Sequence, residues 1–192
     1  MIYCARINNN HAATRLFEKT TTTPLFPSDG EIIMSFPLPC PTQENNYLSS
    51  HIQLLHNSLQ TLTGQNLIKK NESPEEAAHR IFHAPFALLS HSNAPDPILT
   101  YGNRTILEIF ELNWEELITT LSRYTAEAPD REERAQLLAR VTANGFIDDY
   151  SGVRVSQNGQ RFRIKQALVW NLTSDQGSFC GQAAMFEHWT TL

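Results

Sequence analysis

The chain has 192 residues, 41% of them hydrophobic, and a formal net charge of −5 at neutral pH. This length suits one domain with an extension. The acidic balance argues against nucleic acid or an anionic membrane as a partner, since both attract basic surfaces. No stretch approaches the roughly 20 apolar residues that span a bilayer, and the N-terminus has no secretory pattern. We therefore expect a cytoplasmic protein.

Residues 1–43 differ in composition from the rest of the chain. They contain four consecutive threonines and five prolines between Pro24 and Pro41. Proline removes a backbone donor and restricts the residue before it, so regular structure is disfavoured. We expect a disordered or poorly ordered extension over 1–43, with translation starting at Met34, and a folded domain over 44–192.

Two helices are predicted directly after this extension. From Tyr47 to Leu62 the apolar residues recur at steps of three and four, which is typical of one helix face, and Gly64 is a suitable end. The second helix begins after Ser73, which can form a capping box with Glu76. These helices form a lead-in over 44–85, and the domain core follows over 86–192.

The core alternates between short strands and short helices. Two strands are predicted at 86–90 and 98–101. Three helices follow, each with a residue that can cap it: Asn103, Asn113 and Asp130. The last part reads as three strands in an antiparallel meander, with Asn158-Gly159 as a hairpin turn. The second of these strands is predicted to place one apolar set on one face and one basic set on the other. The apolar set is Phe162, Ile164, Leu168, Trp170 and Leu172; the basic set is Arg161, Arg163 and Lys165.

This element order is that of a PAS domain, and the sequence resembles a narrower family, the MEKHLA domain, in its stand-alone bacterial type. The stretches that carry the resemblance are APF at 84–86, LLSH at 88–91, DPI at 96–98, YGN at 101–103, LNWEEL at 112–117, RAQLLARV at 134–141, GFIDDYSGVR at 145–154, RFRI at 161–164, WNL at 170–172 and GQAA at 181–184. The resemblance covers 44–192. It implies an α+β fold with a PAS-like five-stranded antiparallel sheet, helices over one face, and a role in sensing or regulated association.

A PAS-type sheet and its helices can enclose a small cavity, and nine residues are candidates for binding a ligand there. They are Tyr101, Trp114, Phe146, Tyr150, Ile164, Gln166, Leu168, Trp170 and Gln182. Gln166 is expected as a polar exception on the apolar face of its strand, where a buried amide needs a partner. For the aromatic residues the alternative is core packing, and for the two glutamines it is a bond to nearby backbone.

Several polar groups have a functional and a structural interpretation. His79 and His83 share a helix face and could begin a metal site, but further ligands are missing, so ordinary histidines are favoured and no metal is predicted. His91 could act as a base, but it has no visible nucleophile, and we favour a hydrogen bond that fixes the following loop. The acidic pair Asp148-Asp149 makes a poor carboxylate dyad, because adjacent strand residues point to opposite faces.

Four basic residues near the hairpin form a candidate partner surface, although a solvated face is the simpler interpretation. They are Arg154, Arg161, Arg163 and Lys165.

No cofactor can be named. Haem is not supported because the helix expected over 130–144 has no histidine or cysteine, and covalent flavin light sensing is not supported because no helical cysteine accompanies an Asn-Arg motif. No catalytic motif is present, so an enzyme is not favoured and no catalytic residue is assigned.

The main hypothesis is a non-catalytic regulatory domain that binds a small apolar or amphipathic ligand and signals through protein association. The first alternative is a ligand-independent module that forms a homodimer through residues 45–64 or through the sheet face. The second is a small α+β enzyme that uses His91 or the acidic pair, because similar scaffolds host unrelated functions.

Overall fold

The structure is a computed structural model that describes residues 37–127 and 131–192, with the backbone alone at position 133. The expectations for residues 1–36 and for the cap at Asp130 lie outside these residues. The helices are α1 (Ser49–Thr63), α2 (Pro74–Phe82), α3 (Arg104–Phe110), α4 (Trp114–Leu117) and α5 (Arg131–Asn144), with 3-10 turns at Gln43–Leu48 and Ser122–Thr125. The strands are β1 (Ala87–Ser92), β2 (Leu99–Gly102), β3 (Phe146–Val155), β4 (Arg161–Thr173), β5 (Phe179–Phe186) and β6 (His188–Thr191).

The strands form one antiparallel sheet in the order β2-β1-β5-β4-β3. Strand β6 pairs with the first half of β4, and β5 pairs with its second half. Because β3 already occupies the other side of β4, β6 continues the line of β5 after a break at Glu187. The predicted α+β class and antiparallel sheet are confirmed.

The sheet has two faces, and helices cover both. Helices α1 and α2 pack on one, here called the lead-in face, against Leu168, Trp170 and Leu172 of β4. Helices α3 and α5 cover the opposite face, here called the cavity face. The fully buried stripe of α1, which includes Leu55 and Leu59, is therefore satisfied within the chain.

A bulge in β4 decides which residues reach which face. Gln166 has a φ of 53°, and the pairing with β3 passes from Ile164 opposite Gly152 to Ala167 opposite Tyr150. One residue is therefore extra on β4, and the alternation of side chains changes phase there. The predicted single apolar face is wrong, because Ile164 lies on the cavity face and Leu168 on the lead-in face.

Side-chain caps define the helix starts as predicted. The Ser73 hydroxyl accepts from the Glu76 amide and the Glu76 carboxylate accepts from the Ser73 amide, which is a complete capping box. Asn113 and Glu116 form a second one. Asn103 does more than cap α3, since its fully buried amide also bonds to the backbone at the end of α2 and at the start of β1. It joins three elements through one side chain.

A short stretch before the first helix is also held in place. The indole Nε1 of Trp114 donates to the Leu38 carbonyl at 3.0 Å, and Leu38 packs against the lead-in core. Residues 37–42, at the end of the segment expected to be poorly ordered, thus contact the domain without forming regular structure.

Candidate functional site

A cavity of about 60 Å³ lies between α5 and the cavity face. Its lining is mainly apolar and includes Leu89, Leu99, Phe110, Leu137, Ile164 and Val169. A few polar side chains interrupt this lining, and no aspartate or glutamate is among the described residues that form it. Apolar cavities with a few converging polar groups are the usual form of small-molecule sites.

Arg154 brings a positive charge to the cavity from β3. It is a buried residue, its Nη1 donates to the Val153 carbonyl at 2.7 Å, and its guanidinium lies 5.0 Å from the centre of the Tyr150 ring. Gly152, between them on the same face, makes room for this pair, because a Cβ there would lie 2.0 Å from the Tyr150 hydroxyl. The strand therefore presents Tyr150 and Arg154 together.

Arg134 brings a second positive charge from α5. Its Nη2 donates to the Ser122 hydroxyl at 3.0 Å, and it lines the cavity together with Arg154. Burial first, and then the charge of Arg154, lower the pKa of Arg134 to about 10. Neither arginine takes part in an ion pair with another described residue.

His91 contributes a ring nitrogen to the same cavity. Its Nδ1 lies 2.9 Å from the Ser92 carbonyl, which can only accept, so Nδ1 carries the proton and Nε2 of the neutral ring is an acceptor. This Nε2 is buried and has no hydrogen-bond partner. Burial is the main cause that lowers the pKa of His91 to about 4; the bond to Ser92 opposes this, the charge of Arg134 adds to the lowering, and Gln182 opposes it. The expected bond that fixes the loop is present at Nδ1.

Gln182 ties α5 to the sheet. Its Nε2 lies 3.0 Å from the Leu138 carbonyl, the Thr142 hydroxyl and the Asn171 side-chain oxygen. An amide has two hydrogens, so two of these three acceptors are served at a time. Gln182 therefore has the structural role of a bonded buried amide, and it also lies on the cavity wall. The sequence had left both interpretations open.

A wider groove lies on the outer side of α5, between this helix and β3. Its volume is about 270 Å³, and Arg140 and Asp149 are among its polar lining residues. Leu137 and Tyr150 line both the groove and the inner cavity. These two side chains therefore form the wall between the cavity and the surface.

Eight of the nine predicted ligand-binding residues fall into two groups, and Gln166 belongs to neither. Tyr150, Ile164 and Gln182 meet at the cavity. Five belong to the lead-in face or its margin: Tyr101, Trp114, Phe146, Leu168 and Trp170. Gln166 is exposed at the bulge, so its placement as a buried amide was wrong.

The two arginines of the cavity were not predicted as site residues. Arg154 was assigned to a solvated basic hairpin, but it is buried, and only Arg161, Arg163 and Lys165 of that group are exposed. A signal was present, since Arg154 and Tyr150 are four residues apart on one strand and share its face. Arg134 likewise precedes Leu137, Leu138 and Val141 at helical spacing.

The remaining polar candidates have ordinary surroundings. His79 and His83 surround Tyr47, with ring centres 4.8 and 5.5 Å from it. Asp148 and Asp149 are both exposed beside a bulge in β3. Within residues 37–127 and 131–192, no group of three or more histidine, cysteine, aspartate or glutamate side chains could hold a metal ion.

A buried polar chain on the lead-in face was also not predicted. His51 Nε2 lies 3.0 Å from the Ser90 hydroxyl, which lies 2.8 Å from the Thr100 hydroxyl. Burial lowers the pKa of His51 to about 4, and both its Nδ1 and the Tyr101 hydroxyl are buried without a partner. Although a histidine beside a serine is a known nucleophile arrangement, both side chains are closed off from solvent.

Comparisons with known proteins support the fold and the family. Two curated relatives are the homeobox-leucine zipper protein HOX29 of Oryza sativa subsp. indica and that of subsp. japonica, each 26% identical over 133 residues. The match covers 67% of this chain but only 15% of those proteins, so the chain spans a small part of their length. The crystal structure of a PAS domain from Colwellia psychrerythraea has a TM-score of 0.51 at 12% identity, covering 62% of this chain and 95% of that chain.

No described helix has the length and apolar character needed to cross a membrane.

The model of the MEKHLA domain family matches residues 49–191, about three quarters of the chain. The PAS-like neighbour agrees with the observed sheet and its helices. The chain therefore belongs to the MEKHLA domain family, and its PAS-like fold is consistent with a sensory or regulatory module.

Proposed function

We propose that this chain is a non-catalytic regulatory module that binds a small amphipathic ligand in the cavity between α5 and the sheet. The observation that carries the proposal is the buried His91 Nε2 without a partner, on the wall of a mainly apolar cavity. An unsatisfied buried polar atom costs about 1–3 kcal/mol. A ligand that bonds to it recovers that free energy, so occupancy stabilises the folded chain.

Helix α5 is the element best suited to respond to the ligand. Among its described side chains it buries only Leu137 and Val141, whereas α1 buries five residues against the opposite face. Segments with few buried contacts open at a low free-energy cost. Because Leu137 and Tyr150 separate the cavity from the outer groove, a ligand that displaces them alters the surface formed by α5 and β3.

The signal would then pass to a protein partner through this altered surface. The rice homeobox-leucine zipper proteins contain the matched region within a much longer chain, which supports a module that modulates other domains or partners. Homodimerisation through residues 45–64 is less well supported, since the apolar stripe that suggested it is buried against the chain's own sheet. A cytoplasmic location and the stand-alone bacterial type stay predictions.

The proposal is tested by native mass spectrometry of the full chain purified from its own source, together with a cavity-filling variant. We expect the wild-type protein to retain a small molecule and to gain thermal stability when this compound is added back. Ala184→Leu should abolish both effects, because Ala184 lines the cavity. Ala135→Leu, at an exposed position of α5, is the control. Retention of the same molecule by Ala184→Leu would contradict the proposal.

A further inference from the structure

The cavity holds two positive charges that no carboxylate among the described residues balances. Two guanidinium groups, Arg134 and Arg154, line it, while the protein as a whole carries a net charge of −5. Among the residues that the structure describes, no carboxylate lines the cavity or pairs with either arginine. Burying like charges without a counter-ion is costly, and a bound anion removes that cost.

The donors of these arginines favour a carboxylate. A guanidinium presents five N–H groups in a planar fork that fits a carboxylate with two parallel bonds. Arg154 uses its Nη1 on the Val153 carbonyl, and Arg134 uses its Nη2 on the Ser122 hydroxyl, so each retains further donors. The mainly apolar lining favours a single small charged group over the heavily hydrated, doubly charged phosphate.

His91 also lines the cavity, but it needs a hydrogen-bond donor from the ligand, whereas the two arginines need an acceptor. Nε2 of neutral His91 is an acceptor without a donor, and the nearby Gln182 amide directs its NH₂ group away, toward α5 and Asn171. This part of the wall therefore needs a hydrogen-bond donor. A ligand hydroxyl next to its carboxylate would supply it.

Size limits the ligand further. The cavity of about 60 Å³ is less than half the size of a cavity of roughly 150 Å³ that holds benzene. It accepts only a very short chain unless α5 moves outward. We infer that the ligand is a short hydroxycarboxylate, with its carboxylate at Arg134 and Arg154 and its hydroxyl donating to His91 Nε2. This assignment rests on the proposed function of the cavity.

The test is a calorimetric titration of the full chain with three molecules of nearly equal size: glycolate, acetate and glycolamide. We expect glycolate to bind most tightly, because acetate lacks the hydroxyl and glycolamide lacks the charge. Loss of one charged hydrogen bond weakens binding by about 10- to 100-fold. Equal binding of acetate, or binding of glycolamide as tight as that of glycolate, would overturn the assignment.

Substitutions of the cavity arginines test where glycolate binds. Arg154→Gln and Arg134→Gln should each weaken glycolate binding by about 10- to 100-fold, whereas Arg163→Gln, an exposed change on β4, should leave it unaltered. The thermal midpoint without ligand should be unchanged or higher in Arg154→Gln, since an uncompensated buried charge is removed. A lower midpoint together with unaltered glycolate binding would show that the arginine is structural.

The outcomes separate this inference from the proposed function. If glycolamide binds to the wild type and Ala184→Leu abolishes its binding, the cavity is a ligand site but its anion specificity is wrong. If none of the three molecules binds, and the protein from its own source retains nothing, the ligand-binding function itself is wrong.

Discussion

Helices cover both faces of the sheet, but the two covering helices α1 and α5 bury different amounts of side chain against it. On the lead-in face, α1 buries Ile52, Leu55 and Leu59 completely or almost so, next to the fully buried Trp170. On the cavity face, α5 buries two residues, and a cavity on one side and a groove on the other separate it from full contact. The first face supplies the stable core, and the second retains room for a ligand.

The contrast extends to polar groups. The lead-in face closes its polar chain internally, through His51, Ser90 and Thr100, although the His51 Nδ1 and the Tyr101 hydroxyl are left without partners. On the cavity face, Arg154 has no ion pair with another described residue, and the partnerless His91 Nε2 lies on the cavity wall. Unsatisfied groups in a native protein call for an explanation, and on the cavity face a ligand provides it.

The largest difference between the faces should appear in matched truncations of one leucine on each covering helix. Leu59→Ala on α1, at a residue 1% exposed, should lower the free energy of unfolding by about 2–5 kcal/mol, as for fully packed leucines. Leu137→Ala on α5 should cost less than about 2 kcal/mol, because a cavity and a groove already flank it. Urea denaturation measures both, and equal losses would refute the contrast.

Acid should act on both faces mainly through one histidine each, with a smaller effect of the same sign from His56 on α1, whose pKa burial also lowers. The folded pKa of His51 and of His91 is about 4 because of burial, against about 6.5 in an unfolded chain. Between these values the unfolded state binds more protons, so stability falls as the pH falls from 6.5 toward 4. From pH 7 to pH 5 each histidine should cost about 2 kcal/mol.

Single histidine substitutions measure how much of this loss of stability comes from each face. His51→Gln should remove about half of the loss measured by urea denaturation at pH 7 and pH 5, since the glutamine does not titrate. His188→Gln, at an exposed position of β6, should keep the loss intact. A pH dependence that survives both His51→Gln and His91→Gln would locate its origin elsewhere.

The attachment of α5 can be weakened without touching α1. Gln182→Leu removes the amide that serves Leu138, Thr142 and Asn171, and the loss of these buried hydrogen bonds should cost about 1–3 kcal/mol. Hydrogen exchange should become faster in α5 and stay unchanged in α1. Gln157→Leu, at an exposed position of the hairpin, is the control, and uniform acceleration over both helices would contradict independent attachment.

The smallest effect concerns the bulge that separates the faces on β4. Gln166 adopts a φ of 53°, which strains residues other than glycine. Gln166→Gly should therefore raise the free energy of unfolding by up to about 1 kcal/mol, after the entropy of the added glycine is subtracted. Lys165→Gly, one residue earlier, should instead lower it by about 0.5–1 kcal/mol. Thermal denaturation distinguishes the two signs.

Local signals in the sequence predicted the elements well. The capping boxes at Ser73 and Asn113 have a direct stereochemical cause, and both are present. Asn158-Gly159 predicted the place of the β3–β4 hairpin but not its form. The turn is centred on Gln157 and Asn158, and Gly159 follows it with a φ of 85°, so the loop is longer than two residues. These features depend on neighbours within a few residues, which the sequence displays.

The cavity was harder to predict because it depends on the phase of two strands. The bulge in β4 shows no glycine or asparagine at Gln166, so strict alternation was assumed and Leu168 and Trp170 were expected on the cavity face. A second bulge near Asp148 shifts β3 in the same way. Arg154 was expected in solvent because three exposed basic residues follow it on β4, whereas its own strand pairs it with Tyr150.

The extra residue in β4 also limits how related chains can vary in length. Deletion of one residue between Ile164 and Ala167 would exchange inside for outside in the second half of the strand. Leu168 and Trp170 would then fill the cavity, and Val169 would face α1. Aligned family members that keep the cavity should therefore have the same number of residues between Ile164 and Ala167, or differ by two. In a relative that differs by one residue, the side chains of this strand should fill the cavity.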